Sequence, residues 1–391
     1  MLDKFIDFWS SLRLTVVCLF AGLVLVFAGT IAQVDLGLYK AQNDFFRSFF
    51  VFWSPPGTGL KIPVFPGGYL VGGFLLINLI SAHYKRFGFR RDKAGIVMVH
   101  LGLILLLIGQ LATDMLSKES SMQLFEGESK NYSEDFRGNE LVIIDQSDSE
   151  YDRVHAIPEY SLEKNKTISD PKLPFDVTLK KRWVNASLVQ ADSKAPQNAI
   201  KSGATEGLLK DALVVPAPSV TDMDGRNTPT ALVELSKAGR TLGTFLVSSY
   251  TGADQPFTVD GKQFNIAMRF ARHYYPFTLT LLKATHEKYK GTEIPKNFAS
   301  RVKVRNSEKN EDRETVIYMN NPLRYSGSTF YQYQMSAGEM ASSMGSAPSS
   351  TFQVVRNPGW LTPYFSTILI SIGLLFQFGL HLVGFIKKRY V

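Results

Sequence analysis

Four long apolar runs, free of Lys, Arg, Asp and Glu, interrupt a chain that elsewhere alternates short apolar and polar stretches. Leu14 to Val34 spans 21 residues, Ile62 to Ala82 21, Ala94 to Thr113 20 and Asn357 to Ile386 30. At about 1.5 Å of rise per residue, each is long enough to cross a hydrocarbon core of roughly 30 Å as an α-helix. The pattern predicts four transmembrane helices, three N-terminal and one C-terminal. Asn43 to Trp53 (NDFFRSFFVFW) is aromatic but short and interrupted, and is predicted to lie along the membrane surface as an interfacial helix. The first run exceeds the apolar core of a secretion signal and lacks a framed cleavage site, so it reads as a retained anchor.

Between the third and fourth runs the period changes to that of strands. Glu140 to Ile144, Phe175 to Lys180, Thr230 to Ser236, Thr241 to Val247, Phe277 to Leu282, Ser300 to Val304 and Glu314 to Tyr318 are short β-prone runs, several alternating apolar with polar. Lys237-Ala-Gly-Arg240 and Val259-Asp-Gly-Lys262 supply turn signals between neighbours. The fold class expected is an α+β membrane protein whose helices carry a large extracytoplasmic antiparallel β-sandwich-like or split-barrel domain. Residues 1–115 form the first membrane part, 116–356 the β-rich domain and 357–391 the last helix with a basic tail. Within the domain, about 190–226 is rich in Ala, Ser, Pro and Gly and reads as a long loop or insertion with partial helix. About 335–350 reads as a flexible linker.

Charge orients this arrangement. His83 to Lys93 holds five basic residues in eleven, and Lys387-Lys388-Arg389 lies near the C-terminus. Short loops dense in Lys and Arg stay cytoplasmic, so both termini are expected inside and the β-rich domain outside. Residues 114–358 hold 30 basic and 30 acidic residues, which leaves the whole formal net charge of +8 in the membrane part. The basic pI of about 9.3 is therefore a topology signal, and a nucleic-acid partner loses its main support.

Candidate chemistry is sparse. The single cysteine, Cys18, excludes an intrachain disulfide, a CxxC redox pair and a covalent CxxCH haem site. Within the spans two histidines stand out, because an imidazole in hydrocarbon needs a partner. His100 lies seven residues past Lys93, and His381 six before Lys387, so each is about 9–10 Å from the same charged edge. Two imidazoles at one depth can supply both axial positions of a haem iron, with Gln377 one turn before His381 to orient its ring. The plain alternative is that each histidine bonds a backbone carbonyl or a neighbouring helix. His83 reads as a solvated membrane-edge residue. His155, His273 and His286 lack metal-like spacing, although Arg272-His-Tyr-Tyr275 is an aromatic and basic cluster suited to a haem propionate. Gly22 with Gly29 and Gly102 with Gly109, each pair seven apart, suit close helix packing.

Four strings carry a family resemblance: Ser11-Leu-Arg-Leu-Thr-Val with Gly29-Thr-Ile-Ala-Gln33, the run from His100 to Gly109, Tyr289-Lys-Gly-Thr-Glu-Ile-Pro-Lys-Asn-Phe-Ala-Ser300, and Met319-Asn-Asn-Pro-Leu-Arg-Tyr-Ser-Gly-Ser-Thr-Phe-Tyr-Gln332. With the order of three spans, outer β domain and final span, they resemble ResB, also called CcsB, of the System II cytochrome c maturation route. The last two strings are the specific ones, and the resemblance is weakest between about 145 and 265. It implies a bacterial cytoplasmic (inner) membrane location and a CcsA/ResC partner whose tryptophan-rich segment handles haem. It implies haem b as a transient substrate, apocytochrome c as recipient, and a thioredoxin-like thiol reductant as a further partner. The four tryptophans here, Trp9, Trp53, Trp183 and Trp360, are isolated, so that segment must come from the partner. His100 matches a third-span histidine expected to ligate haem, whereas His381 has no family counterpart and rests on depth alone. No catalytic motif is present; the chain would join a haem-lyase complex. A different class stays open: a non-catalytic anchor or assembly factor of a respiratory complex, with a protein-binding outer domain.

Overall fold

Ser11 begins the first long helix by capping it: its backbone is extended (φ −77°, ψ 137°) and its hydroxyl accepts the Leu14 amide at 3.2 Å. A serine oxygen at that position satisfies one of the amides a helix start leaves open. In this computed structural model, which describes residues 2–55, 57–86, 93–148, 150–191, 195–223, 225–289, 292, 295–337, 345 and 347–389, the chain forms two compact units. One comprises Met1–Ser117, Thr221–Asp224 and Asn357–Val391; the other Lys118–Val220 and Gly225–Arg356.

The first unit is helical. It contains α1 (Leu2–Trp9), α2 (Leu12–Leu36), α3 (Leu38–Ala41) running into one π turn (Gln42–Phe46), α4 (Gly68–Arg86), α5 (Ala94–Leu116) and α6 (Thr362–Arg389). Among the described residues three helices, α2, α5 and α6, are long and apolar enough to cross a membrane. The run expected as the second span divides: Ile62–Pro66 is strand, and only the part from Gly68 is α4. The cause is Pro63 and Pro66, which lack the amide a helix interior needs. Pro358 and Gly359 likewise delay the last helix from Asn357 to Thr362.

The expected interfacial helix at 43–53 is corrected to a π turn followed by a hairpin. β1 (Phe50–Trp53) pairs antiparallel with β2 (Ile62–Pro66), because an aromatic run has a stronger preference for a pleated surface than for a helix. Phe50, Phe52, Trp53, Ile62 and Val64 stay exposed on it.

Asn78 of α4, 2 % exposed, ties the start of the chain together. Its amide donates to Trp9 O at 2.6 Å and Ser11 O at 3.1 Å, and its carbonyl accepts the Thr15 hydroxyl at 2.6 Å. Arg47 pairs with Asp114 of α5 at 2.7 Å, and the Tyr69 hydroxyl bonds the same carboxylate.

The second unit is built of strands in chain order: β3 (Lys118–Phe125), β4 (Ser129–Asp145), β5 (Arg153–Pro158), β6 (Thr167–Ile168), β7 (Asp176–Trp183), β8 (Ala186–Val189), β9 (Ile200–Lys201), β10 (Leu213–Pro216), β11 (Thr230–Lys237) and β12 (Arg240–Ser248). They continue with β13 (Gln255–Val259), β14 (Lys262–Lys288), β15 (Pro295–Asn306), β16 (Glu311–Tyr318), β17 (Leu323–Tyr325), β18 (Ser328–Ser336) and β19 (Ser349–Arg356). All seven runs read as strands fall in strands, apart from Phe175, which precedes β7. Both turn signals are two-residue hairpins with left-handed backbone, Ala238-Gly239 (φ 47° and 80°) and Asp260-Gly261 (φ 53° and 76°), the geometry that matches strand twist.

A ten-stranded antiparallel sheet runs β16-β15-β14-β4-β3-β19-β18-β17, with β13 on β14 and β5 on β4; a four-stranded sheet runs β12-β11-β7-β6. One core cluster joins Leu141, Ile143, Phe264 and Ile266 of the large sheet to Val177, Leu179, Val233 and Val247 of the small one. A second, around Phe277, Leu279, Val302, Phe330 and Phe352, fills the other end of the large sheet. The expected loop or partly helical insertion at 190–226 is corrected: it carries β9 and β10, which complete a three-stranded sheet with β8, and Val214 packs with Trp183 and Leu246. The expected linker at 335–350 is narrower, since Met335 and Ser336 end β18 and Ser349 opens β19; 338–344 and 346 lie outside the described residues, as do 87–92 of the basic loop.

Candidate functional site

The candidate site is set by how α5 packs. Gly95, Gly102 and Gly109 recur every seven residues, which keeps them on one helix face. That face meets α6. A Cβ on Gly95 would lie 2.6 Å from Gly373 O and 2.7 Å from Gln377 Cβ; Gly102 lies against Ser366 and Ile370, and Gly109 against Thr362. Small residues here let the two backbones approach closely. The pair is antiparallel.

His100 is five residues past Gly95, about 140° around the helix from the glycine stripe, so it points away from α6. Its Nδ1 lies 2.8 Å from Ile96 O. A carbonyl only accepts, so Nδ1 carries the proton and the ring lone pair is on Nε2, the nitrogen that a metal takes. His83 lies on α4, which precedes α5 in the chain and packs on it. His83 and His100 are each partly buried.

His381 bonds Gln377: the two side-chain Nε2 atoms are 3.1 Å apart, one turn apart on α6. Gln377 Oε1 is buried without a hydrogen-bond partner among the described residues, and His381 is exposed. The structure therefore brings Gln377 to His381 but does not bring His381 to His100. By the glycine register, His100 is level with Ile370, which is about eleven residues or ~16 Å short of His381 along α6. The equal depths read from the charged edges do not hold, because α6 extends past the start of α5 and its basic tail marks a different level.

From the sequence His83 reads as a solvated membrane-edge residue. It and His100 flank the same short basic loop on consecutive helices that pack together, and that symmetry about the loop was the signal available. In the β-rich unit, His155 pairs with Asp170 at 3.1 Å, His286 meets Phe298 edge-on, and His273 bonds Asp135 at 3.3 Å. Burial pushes the Asp135 carboxyl up, but the His273 bond and the amides of Gly138 and Arg137 outweigh it and hold it below the usual carboxylate value. Among the described residues no group of three His, Cys, Asp or Glu is arranged to hold a metal ion.

Apolar helices long enough to span, in chain order around a large antiparallel β unit, define a membrane-anchored protein with a β-rich domain. Residues 235–351 match the ResB-like family, to which that part of the chain is similar. The matched segment contains both of the specific strings, 289–300 and 319–332; His100, His381 and Gln377 lie outside it. No curated protein matches the chain. That family is associated in general with cytochrome c biogenesis.

Proposed function

We propose that this chain is the haem-handling membrane subunit of a cytochrome c maturation complex, with His100 as an axial ligand to haem, its transient substrate. The observation that carries the reading is the His100 ring: bonded through Nδ1 to Ile96 O, it is held in the tautomer and orientation that present Nε2 to a metal. The register of α5 on α6 argues that the second axial ligand is not His381. It comes from a CcsA/ResC-type partner, or from His83 across α4. Gln377 serves to orient His381 at a separate level.

The topology proposed has α4 as the fourth span. It is 19 residues long, about 28 Å, packs on α2 through Asn78 and Thr15, and is required by parity if the basic loop and both termini are cytoplasmic. The outer unit then lies on the far face of the bacterial inner membrane. Its shared cluster between the large and the four-stranded sheet supports a sandwich architecture. There it docks apocytochrome c or braces the partner, while a thioredoxin-like protein keeps the acceptor thiols reduced.

The test is the visible spectrum of the chain purified with its partner. Wild type shows a Soret band, and His100→Ala loses most of the haem and shifts the band of what remains. Unchanged haem content and spectrum in His100→Ala would overturn the assignment, and no Soret band in wild type would favour a non-catalytic anchor.

A further inference from the structure

A cavity of about 440 Å³ opens in the β-rich unit; it holds the Arg272–Tyr275 cluster and none of His100, His381 and Gln377. Its walls include Lys118, Arg272, His273, Tyr275, Ser328 and Arg356, and no Asp or Glu lines it. The volume lies in the range of small-molecule sites.

Three features make this an arrangement for an anion. First, Lys118 and Arg356 are directly opposite each other in the β3·β19 ladder. Like charges in that position repel, and neither has an acidic side chain within ion-pair distance among the described residues. They are the first and last residues of this part of the chain, and Ser120 and Val354, two positions further along each strand, line the same cavity.

Second, Arg272 is held as a fork. Its guanidinium lies over the Tyr132 ring at 4.2 Å and its Nε is 3.6 Å from Glu134. That Nε is nevertheless buried without a hydrogen-bond partner among the described residues. Glu134, opposite Arg272 on β4, and Asp135, bonded to His273, do not line the cavity.

Third, β14 loses its regular register against β4 between Tyr274 and Leu279, around Pro276. Such irregularities re-aim side chains. Here the break brings consecutive residues, Arg272 to Pro276, to one cavity, where a regular strand would send alternate ones to the opposite face. Hydroxyls complete the wall: Tyr275 bonds Ser133 at 2.6 Å, which bonds Ser120 at 2.8 Å.

We infer that this cavity binds an oxyanion, the phosphate or carboxylate group of a small ligand, between Lys118 and Arg356 with Arg272 as the third cation. Arginine forks match both groups in a bidentate way. The site shares no residue with the His100 assignment and stands or falls separately from it.

The test is thermal unfolding of the full-length protein in nanodiscs. Three probes separate the sources: inorganic pyrophosphate for a free phosphate, citrate for a carboxylate, and phosphatidylglycerol against phosphatidylcholine nanodiscs for a lipid headgroup. At least one raises the melting temperature of wild type. Lys118→Gln/Arg356→Gln, itself no less stable because a repulsion is relieved, loses that rise, and titration shows binding at least about tenfold weaker. Arg240→Gln, in the exposed β11–β12 turn, keeps it. No rise with any probe, an undiminished rise in the double variant, or an equal loss in Arg240→Gln would each overturn the inference.

Discussion

Gly95 and Gly373 meet backbone to backbone where α5 crosses α6: a Cβ on the first would sit 2.6 Å from the carbonyl of the second, and one on the second 2.7 Å from the carbonyl of the first. Backbone cannot yield as a flexible side chain can. Gly95→Val and Gly373→Val are expected to destabilise the helical unit by about 1–3 kcal/mol, the range for overpacked cores. Gly384→Val, at a position with open space around it, is the control. Unfolding in detergent, followed by helical circular dichroism, distinguishes them.

Asn78 answers for three polar groups near the start of the chain, the carbonyls of Trp9 and Ser11 and the hydroxyl of Thr15. Asn78→Leu keeps the volume and removes all three bonds. In an apolar surrounding the expected cost is about 0.6–2 kcal/mol, with Thr15→Val partly non-additive to it because the two share a bond. A double-mutant cycle with no coupling between these two positions would show that the bond contributes nothing.

These two contacts mark how far the sequence could be read. The charge-free runs located the helices, and alternation located the strands, because burial imposes a period that the side chains must follow. Pro63 and Pro66 lie inside the second run, and their missing amides place the helix start at Gly68. The hairpin at 50–66 was not legible, since a short aromatic run has no period that separates strand from surface helix. The register of α5 on α6 was not legible either. It depends on which glycines on two distant segments meet, and so on three-dimensional contact. That register decides the site, because it separates His381 from His100. The Lys118–Arg356 pair is 238 positions apart and no local pattern connects them.

Glu140 and Arg269 form a pair in the β-rich unit at 2.9 Å, with only 11 % of each side chain exposed. Removing one member leaves the other buried and uncompensated. Glu140→Ala is expected to cost about 3–5 kcal/mol, while Glu140→Leu/Arg269→Met costs far less because no lone charge remains. Chemical denaturation of the purified protein orders the two variants, and equal losses would argue that the charge is solvated after all.

Asp135 gives the β-rich unit an acid limb. Its folded carboxyl is held below its unfolded value of about 3.9, so the stabilisation it contributes is present above that pH and is lost as pH falls through the lower folded value. Its oxygens accept the amides of Arg137 at 2.9 Å and Gly138 at 2.6 Å as well as His273. Asp135→Asn is expected to be less stable by about 1–3 kcal/mol at neutral pH and to lose less on acidification, so the melting curves of the two proteins converge toward pH 3. Parallel acid limbs would mean that other carboxylates, such as Asp145 or Asp312, carry the transition.

His100, His83 and His381 make three separable predictions because the helices hold them at different places. If His100 Nε2 ligates haem, His100→Ala loses the ligand outright, and added imidazole, which can enter the vacated space, restores part of the Soret band. His381→Ala leaves haem content and band position unchanged, since about 16 Å along α6 is more than two imidazole side chains can bridge to one iron. His83→Ala decides whether ligation is completed within this chain. A low-spin spectrum that turns high-spin in His83→Ala, for protein purified with its partner, assigns the second axial position to α4. An unchanged spectrum leaves that position to the partner, and the His100 assignment survives in either case. A spectral change in His381→Ala as large as that in His100→Ala would contradict the helix register itself, because it would require α5 and α6 to slide by about three turns to bring the two rings level.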